Sequence, residues 1–318
     1  MKSSDQKICG SIIERIGNTP LVELRRVVPD DCARILLKVE SENPTGSMKD
    51  RMALAMIEAA EADGRLQPGG HVIEYTGGST GVSLAFICAV KRYTASIVTS
   101  DAFSLEKRNQ MKAFGAELTI IPSPEGKTTE GLTRAMIEAA GEIAAETGGF
   151  WTDQLANPDQ IAAYRKMGDE ISRQTDGRVD GFVAMTGTTA CFQGNAEVLR
   201  RHNPEIHCMA IEPAESPVLS GGTSGAHKIE GTGAGFVVPL WRPEAADEIA
   251  AVSTEEAMAM CRSLAAEEAI FAGTSTGGNV VKAIELGRRL GPGATVVTIM
   301  CDTGLKYLST VVYYGRSR

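Results

Sequence analysis

Glu42-Asn-Pro-Thr-Gly-Ser-Met-Lys-Asp-Arg-Met-Ala53 is the stretch on which the reading of this chain turns, and Lys49 is its centre. Pro44, Thr45, Gly46 and Ser47 are turn formers, so a turn precedes the lysine, and Ser47 stands where a hydroxyl can cap a helix start. From 47 to 63 apolar residues recur at helical spacing (Met52, Leu54, Ala55, Ile57, Ala59), and Gly64 ends the run. A lysine in the first turn meets the positive end of the helix dipole, with Arg51 beside it, and both disfavour its ammonium form. That is how a lysine becomes a Schiff-base amine near neutral pH. Alone, such a lysine reads first as a solvated surface charge; the rest of the chain reverses that order.

The chain has 318 residues, room for two α/β domains or one large one. Hydrophobic content is 43% with only 5% aromatic, so the core is aliphatic and alanine-rich. A net charge of −8 argues against a nucleic-acid partner, which needs a basic face. No apolar run approaches the roughly 20 residues that span a bilayer, and the start MKSSDQKICG has no apolar leader segment. A cytoplasmic protein is expected. Seven scattered cysteines without a CxxC spacing fit reduced, mostly buried thiols. Four histidines show no metal-binding spacing, since Pro204 separates His202 from His207, so no metal is expected.

Strands alternate with helices along most of the chain. ILLKVE (35–40), HVIEYT (71–76), ASIVTS (95–100), ELTIIP (117–122), DGFVAMT (180–186), IHCMAIEP (206–213) and ATVVTIM (294–300) read as strands. Helices are expected at 47–63, from 81 through Lys91, and at 104–114, 129–147, 160–174, 190–202, 254–268 and from 278 to about 290. This alternation predicts an α/β fold of two doubly wound, mostly parallel-sheet domains with right-handed crossovers. Residues 214–240 have no periodicity, and a loop of that length in a compact fold is usually functional.

In open α/β sheets, ligands sit beyond the carboxyl ends of the strands. Three glycine-containing loops lie at helix starts, 76–81, 187–191 and 273–278, and each offers free backbone N–H groups to an anion. Together with a candidate Schiff-base lysine they suit a ligand bearing both a phosphate and a carboxylate. Nicotinamide, ATP and hydrolase chemistries are set aside. Gly231, Gly233 and Gly235 have GxGxG rather than GxGxxG spacing, and Gly225 and Lys228 do not make a phosphate-binding GK[ST] loop.

With these motifs in hand, the chain resembles the cysteine synthase branch of fold type II pyridoxal 5'-phosphate (PLP) enzymes, which share the tryptophan synthase β-like fold. The resemblance runs from IGNTPL (16–21) to GLKYLST (304–310). NPTGSMKDR resembles the family's lysine segment, which implies that Lys49 is the catalytic, cofactor-linked residue. EYTGGSTG resembles the EPTSGNTG loop, implying that Thr76, Gly77, Gly78, Ser79 and Thr80 hold the substrate carboxylate, with Gln154 of DQLANP completing that site. GTSTG (273–277) resembles GISSG, implying that Ser275 contacts the pyridine nitrogen. HKIEGTGAGFV (227–237) resembles a segment that moves beside the cofactor, which brings Gly231 toward the substrate.

The resemblance further implies a smaller domain at 42–152, a larger PLP-binding domain from 1–41 plus 153–318, and a homodimer. No C-terminal regulatory module is expected, because few residues follow Thr310. A serine at the ring nitrogen leaves that nitrogen mostly unprotonated, so loss of a β-substituent competes well with a long-lived carbanion. Lys49 is the expected base for the α-proton. The expected reaction is β-replacement on a serine-type amino acid resembling O-acetylserine, forming cysteine or an analogue with a small nucleophile. The alternatives are β-elimination to a keto acid and ammonia, as in a desulfhydrase or a serine/threonine deaminase, and a non-catalytic regulator.

The sequence departs from the family at its ligand loops. The phosphate cup, usually GTGGT, is Gly187-Thr188-Thr189-Ala190-Cys191; Cys191 is expected as a packing thiol, with a thiol depressed by the helix start as the alternative. Ser79 replaces an asparagine that contacts the cofactor's phenolic oxygen, and Gly77 replaces a serine. Cys301 stands for a proline and Leu305-Lys306 for a Glu-Arg pair. The small residues at 77 and 79 are expected to leave room for a bulkier substrate.

Overall fold

Two separate parallel-strand arrays account for nearly every apolar run in the chain. The computed structural model describes residues 8–123 and 126–314, so the start MKSSDQK lies outside the described residues. The larger sheet contains β1 (Leu21–Leu24), β2 (Arg34–Val39), β7 (Gly181–Met185), β8 (His207–Pro213), β9 (Glu248–Val252) and β10 (Thr295–Met300), in the order β1-β2-β10-β7-β8-β9. The smaller contains β3 (His71–Tyr75), β4 (Thr94–Ser100), β5 (Glu117–Ile121) and β6 (Phe150–Trp151), in the order β5-β4-β3-β6. Every pairing is parallel except β1 with β2.

Helices cover the faces, as parallel crossovers require. They are α1 (Lys49–Asp63), α2 (Ser79–Lys91), α3 (Leu105–Ala113), α4 (Glu130–Thr147), α5 (Asp159–Gln174), α6 (Ala190–His202), α7 (Thr254–Glu267) and α8 (Thr274–Leu290). The central strands read as continuous apolar runs because both faces are covered; β7 is buried at all its positions. One core cluster joins Met52, Met56 and Ile57 of α1 to Ile87 of α2, Tyr164 of α5 and Phe192 of α6.

Two strands escaped the sequence reading. β6 is only two residues long, and β9 (Glu-Ile-Ala-Ala-Val) is a half-exposed edge strand paired on one side to β8. Short or edge strands carry little apolar signal. Between β8 and β9 the long aperiodic segment contains no helix and no strand pairing beyond one bridge, Thr128 to His227.

The start of α1 is fixed from three sides. Gly64 closes its far end in a left-handed conformation, φ +82°. At the near end the helix begins at Lys49 with Met48 as its N-cap, which makes no side-chain cap bond; Ser47, expected at that position, lies one residue earlier and its hydroxyl accepts the Lys49 amide at 3.2 Å. Asp50 folds back on the preceding turn, accepting the Thr45 amide (2.8 Å), the Thr45 hydroxyl (2.5 Å) and the Ser83 hydroxyl of α2 (2.6 Å). The turn is also stitched to the chain's end: Met48 N–H donates to Cys301 O at 2.9 Å and Thr303 N–H to Gly46 O at 3.0 Å.

Arg51 points the other way, into a buried ionic cluster. Its guanidinium bonds Glu40 (2.6 and 2.9 Å) and Glu170 of α5 (2.8 and 2.7 Å), and Glu170 also pairs with Lys38 of β2 at 2.8 Å. The IGNTPL segment wraps this cluster. Gly17 and Asn18 take positive φ (+89° and +50°), which turns the Asn18 amide onto Glu170 at 3.0 Å.

Candidate active site

Carboxyl ends of β3, β7 and β10 and the start of α1 converge on one cleft, so the expected ligand loops meet where an open sheet binds ligands. One cavity is lined by Lys49, Ser79, Gly187, Thr188, Thr189, Cys191, Gly231 and Ser275. An adjoining chamber of about 90 Å³ shares Lys49 and adds Thr76, Gly77, Gly78, Thr80 and Gln154. Of the residues singled out in the sequence, only Ala190 is absent from these walls; it is the first residue of α6, directly behind them.

Lys49 is 7% exposed. Burial pushes its ammonium below the ordinary lysine value, while Cys191, Cys301 and Asp302 pull the other way. Both thiols are themselves raised by burial, Cys301 to about 11, so they stay neutral near pH 7. Asp302 is then the carboxylate that faces the amine. Arg51 plays no part, because its charge is spent on Glu40 and Glu170. The expectation of a destabilised ammonium holds, but desolvation causes it.

The loop after β3 is drawn tight by its own side chains. Thr76 Oγ1 accepts the Gly78 amide at 2.9 Å, and Thr80 Oγ1 donates to Gln154 Oε1 at 2.8 Å. Gln154 Nε2 donates to Tyr75 O at 2.7 Å, and its amide donates to buried Glu74 at 3.0 Å. The side chains of Thr80 and Gln154 thus brace each other, and the free backbone N–H groups at the start of α2 face the chamber.

Ser79 behaves differently from the asparagine it replaces. Its hydroxyl donates to Asp302 Oδ2 at 2.9 Å, and Tyr307 donates to the same oxygen at 2.9 Å. The Ser79 proton is therefore committed, and its lone pairs and backbone N–H are what remain for a ligand.

The room expected above Gly77 is already filled. A Cβ at Gly77 would lie 3.0 Å from Cε1 and 3.2 Å from Cζ of Phe103, and a Cβ at Gly78 would lie 2.3 Å from Cδ of Lys107. The segment opening α3 closes down on the two glycines. The expectation of space for a bulkier substrate at Gly77 is corrected accordingly.

At the cup after β7, Thr189 sits at φ +68°, the left-handed conformation of the glycine that the family pattern places there. Its Oγ1 accepts from Gln193 Nε2 at 2.6 Å, while Thr188 Oγ1 donates to Gln160 Oε1 at 2.7 Å. The Thr188 proton is thus committed, whereas Thr189 only accepts, so its O–H remains to donate to an anion beside the free N–H groups of the first turn of α6 and its dipole. Gly187 is required by close approach: a Cβ there would lie 2.4 Å from Gly231 O. Cys191 is buried and its thiol is pushed well above the usual range by desolvation, as suits the packing thiol expected there and not the depressed alternative. A dipole lowers a thiol only where the thiolate keeps some solvation.

Ser275 is the second residue of α8 and lies within hydrogen-bonding reach of Cys301. The cradle fits a phosphorylated aldehyde in three respects: a buried amine whose ammonium is disfavoured, a helix start with orphan N–H groups, and a glycine at 187 that lets the Gly231 carbonyl pack against the cup.

Several wall residues were not foreseen. Phe103, Lys107, Glu230 and Asp302 line the two cavities. Lys107 Nζ pairs with Glu230 Oε2 at 2.7 Å and lies 4.2 Å from the Tyr307 ring centroid. These come together across up to 200 residues of sequence, and no local pattern marks them. Both Gly77–Gly81 and Gly273–Gly277 also have the GxSxG spacing of a hydrolase elbow. Yet neither cavity wall includes a histidine, and Ser79 donates to a carboxylate rather than to a base. Among the described residues no group of three or more His, Cys, Asp or Glu is arranged to hold a metal, and no helix is long and apolar enough to cross a membrane.

Comparison with known proteins follows the same lines. A family model described as "Pyridoxal-phosphate dependent enzyme" matches residues 12–302. A cysteine synthase of Staphylococcus aureus (strain N315) is 43% identical over 310 residues, covering 97% of this chain and 98% of the relative. Among solved structures, cysteine synthase from Entamoeba histolytica superposes with a TM-score of 0.92 at 36% identity, covering 100% of this chain and 94% of that one. An O-ureido-L-serine synthase also gives 0.92, at 34% identity, covering 98% of this chain and 97% of the other.

Proposed function

The chain belongs to the pyridoxal-phosphate dependent enzymes, and from that membership we infer a PLP-dependent β-replacement that forms cysteine from an O-acetylserine-like amino acid and a small nucleophile. The observation that carries this reading is the position of Lys49. A buried, destabilised amine shares its cavity with the carboxylate loop on one side and the helix start of α6 on the other.

Bound PLP supplies the electron sink for charge at the substrate's α-carbon. The first-turn N–H groups of α6, with Gly187, Thr188, Thr189, Ala190 and Cys191, would hold its phosphate, and Ser275 would meet its ring nitrogen. The loop Thr76–Thr80, braced by Gln154, binds the substrate carboxylate through backbone N–H groups. Lys49 would carry the cofactor, and its Nζ is the group placed to accept the substrate's α-proton. Its low proton affinity suits that step, since a base works best near the operating pH. Gly231, packed against Gly187, closes the chamber and limits water, which keeps β-replacement ahead of hydrolysis to a keto acid.

The smaller lobe spans 42–152 and the remainder forms the larger, and the working form is a cytoplasmic homodimer, as the family resemblance implies. Sedimentation at micromolar concentration tests the assembly.

The decisive experiment supplies purified holoenzyme with O-acetylserine and sulfide and measures cysteine and acetate. Equimolar cysteine and acetate are expected. Lys49→Ala loses all cysteine formation and all borohydride-fixed cofactor. A Lys49→Ala protein that still makes cysteine, or a wild type that releases only keto acid and ammonia, sinks the reading.

A further inference from the structure

The contact between Phe103 and Gly77 gives the substrate chamber a character that its loops alone do not. Gly77 is not in the left-handed region, so its backbone accepts any side chain, and the Phe103 ring at 3.0 Å is what stands in the way. Phe103 is 5% exposed and belongs to an apolar cluster with Tyr75, Met136 and Leu155. Phe103, Met136 and Leu155 all line the chamber that also holds Lys49 and the carboxylate loop. Thr133, beside them, turns its hydroxyl to Thr129 O at 3.1 Å. The chamber is therefore divided: free N–H groups and the lysine on one wall, aromatic, thioether and branched aliphatic groups on the other.

The chamber leaves about 90 Å³ to the centres of water-sized spheres, several times the roughly 10–15 Å³ that one water needs on that measure. Water there has partners on one wall only, while a short alkyl group has apolar partners on the other.

We propose that Phe103, seated on Gly77, is a specificity-determining residue that selects short alkyl thiols over hydrated sulfide as the nucleophile, so that the enzyme forms S-alkylcysteines. The inference rests on the β-replacement reading. In the reaction the β C–O bond of O-acetylserine breaks and acetate leaves with the electron pair. The thiol sulfur forms the new C–S bond, and the thiol proton passes to solvent. The products are an S-alkylcysteine and acetic acid, and nothing is oxidised or reduced.

The test measures binding apart from turnover. Calorimetric titration of the holoenzyme with cysteine and with S-methyl-, S-ethyl- and S-propylcysteine is expected to show Kd falling about fourfold per added carbon, the factor given by about 0.8 kcal/mol per buried methylene. The kcat/KM values for sulfide, methanethiol, ethanethiol and propanethiol rise in the same order. Phe103→Ala flattens both series. Gly77→Ser, which crowds the ring, weakens the longer members most, and adding Phe103→Ala to it relieves that loss; this pair keeps the test valid if Phe103→Ala alone folds poorly. A flat Kd series in the wild type, or an unchanged slope in a folded Phe103→Ala protein, overturns the proposal even if acetate is released from O-acetylserine. Absent acetate release with an intact Kd series refutes β-replacement and leaves the selective wall standing.

Discussion

Replacing Glu170 by glutamine tests whether the ionic cluster behind α1 is held by charge or only by shape. The side chain is 8% exposed and takes hydrogen bonds from Arg51, Lys38 and the Asn18 amide. Burial alone would raise its carboxyl, but the bonds from Arg51 overcome that and hold it at about 2, against an ordinary 4.5. At about 1.36 kcal/mol per unit, the depression corresponds to about 3 kcal/mol of stability. Removing one partner of a buried pair costs about 3–5 kcal/mol, because the stranded charge stays buried. For 318 residues at about 2.1 cal/mol/K per residue, that loss lowers Tm by roughly 4–8 °C.

The pH dependence carries the sign. A carboxylate whose folded pKa is depressed contributes fully above 4.5 and loses that contribution as pH falls toward about 2. The gap between wild type and Glu170→Gln is therefore constant from pH 7 to 5.5 and has shrunk by roughly 1 kcal/mol at pH 3.5. Calorimetry of both holoproteins across that range provides the measurement. Equal Tm values at pH 7, or a gap that does not narrow in acid, would refute the electrostatic account.

Further outcomes follow from the site. Gly187→Ala drives a Cβ to within 2.4 Å of Gly231 O; overpacking of about 1–3 kcal/mol weakens PLP binding by about 5- to 150-fold, read by titrating apoprotein with PLP. Cys191 and Cys301 are buried with raised thiol pKa values, so mass spectrometry after iodoacetamide at pH 8 finds both unlabelled in the native protein and labelled in urea. Because burial lowers Lys49, its neutral form persists below the ordinary lysine value, and imine formation by apoprotein with PLP slows by less than tenfold from pH 9 to 8. A tenfold drop over that unit, as for a solvent-exposed lysine, would contradict the burial.

Much of this arrangement was readable in the chain because it is locally encoded. The Pro-Thr-Gly-Ser turn, the helix it starts and Gly64 at its end all rest on backbone preferences of adjacent residues, as does the start of α6 at Ala190. Two of the three ligand loops were legible from glycines at the ends of β3 and β7; the third, 273–278, follows α7 and was marked only by the start of α8. What stayed hidden depends on distance in sequence. The Arg51 cluster draws on Glu40 and Glu170, and Ser79 finds Asp302 more than two hundred residues on. The error at Gly77 has the same origin. Local chemistry suggested an empty space, and tertiary packing supplied the Phe103 ring.

The stitching of the lysine turn to the chain's far end has a consequence for biogenesis. Gly46 and Met48 are bonded to Thr303 and Cys301, and β2 lies against β10. During synthesis the N-terminal part leaves the ribosome long before those partners exist. The seat of Lys49 is thus finished only when β10 threads into the sheet, so vitamin B6 capture waits until the residues around 300 have been made.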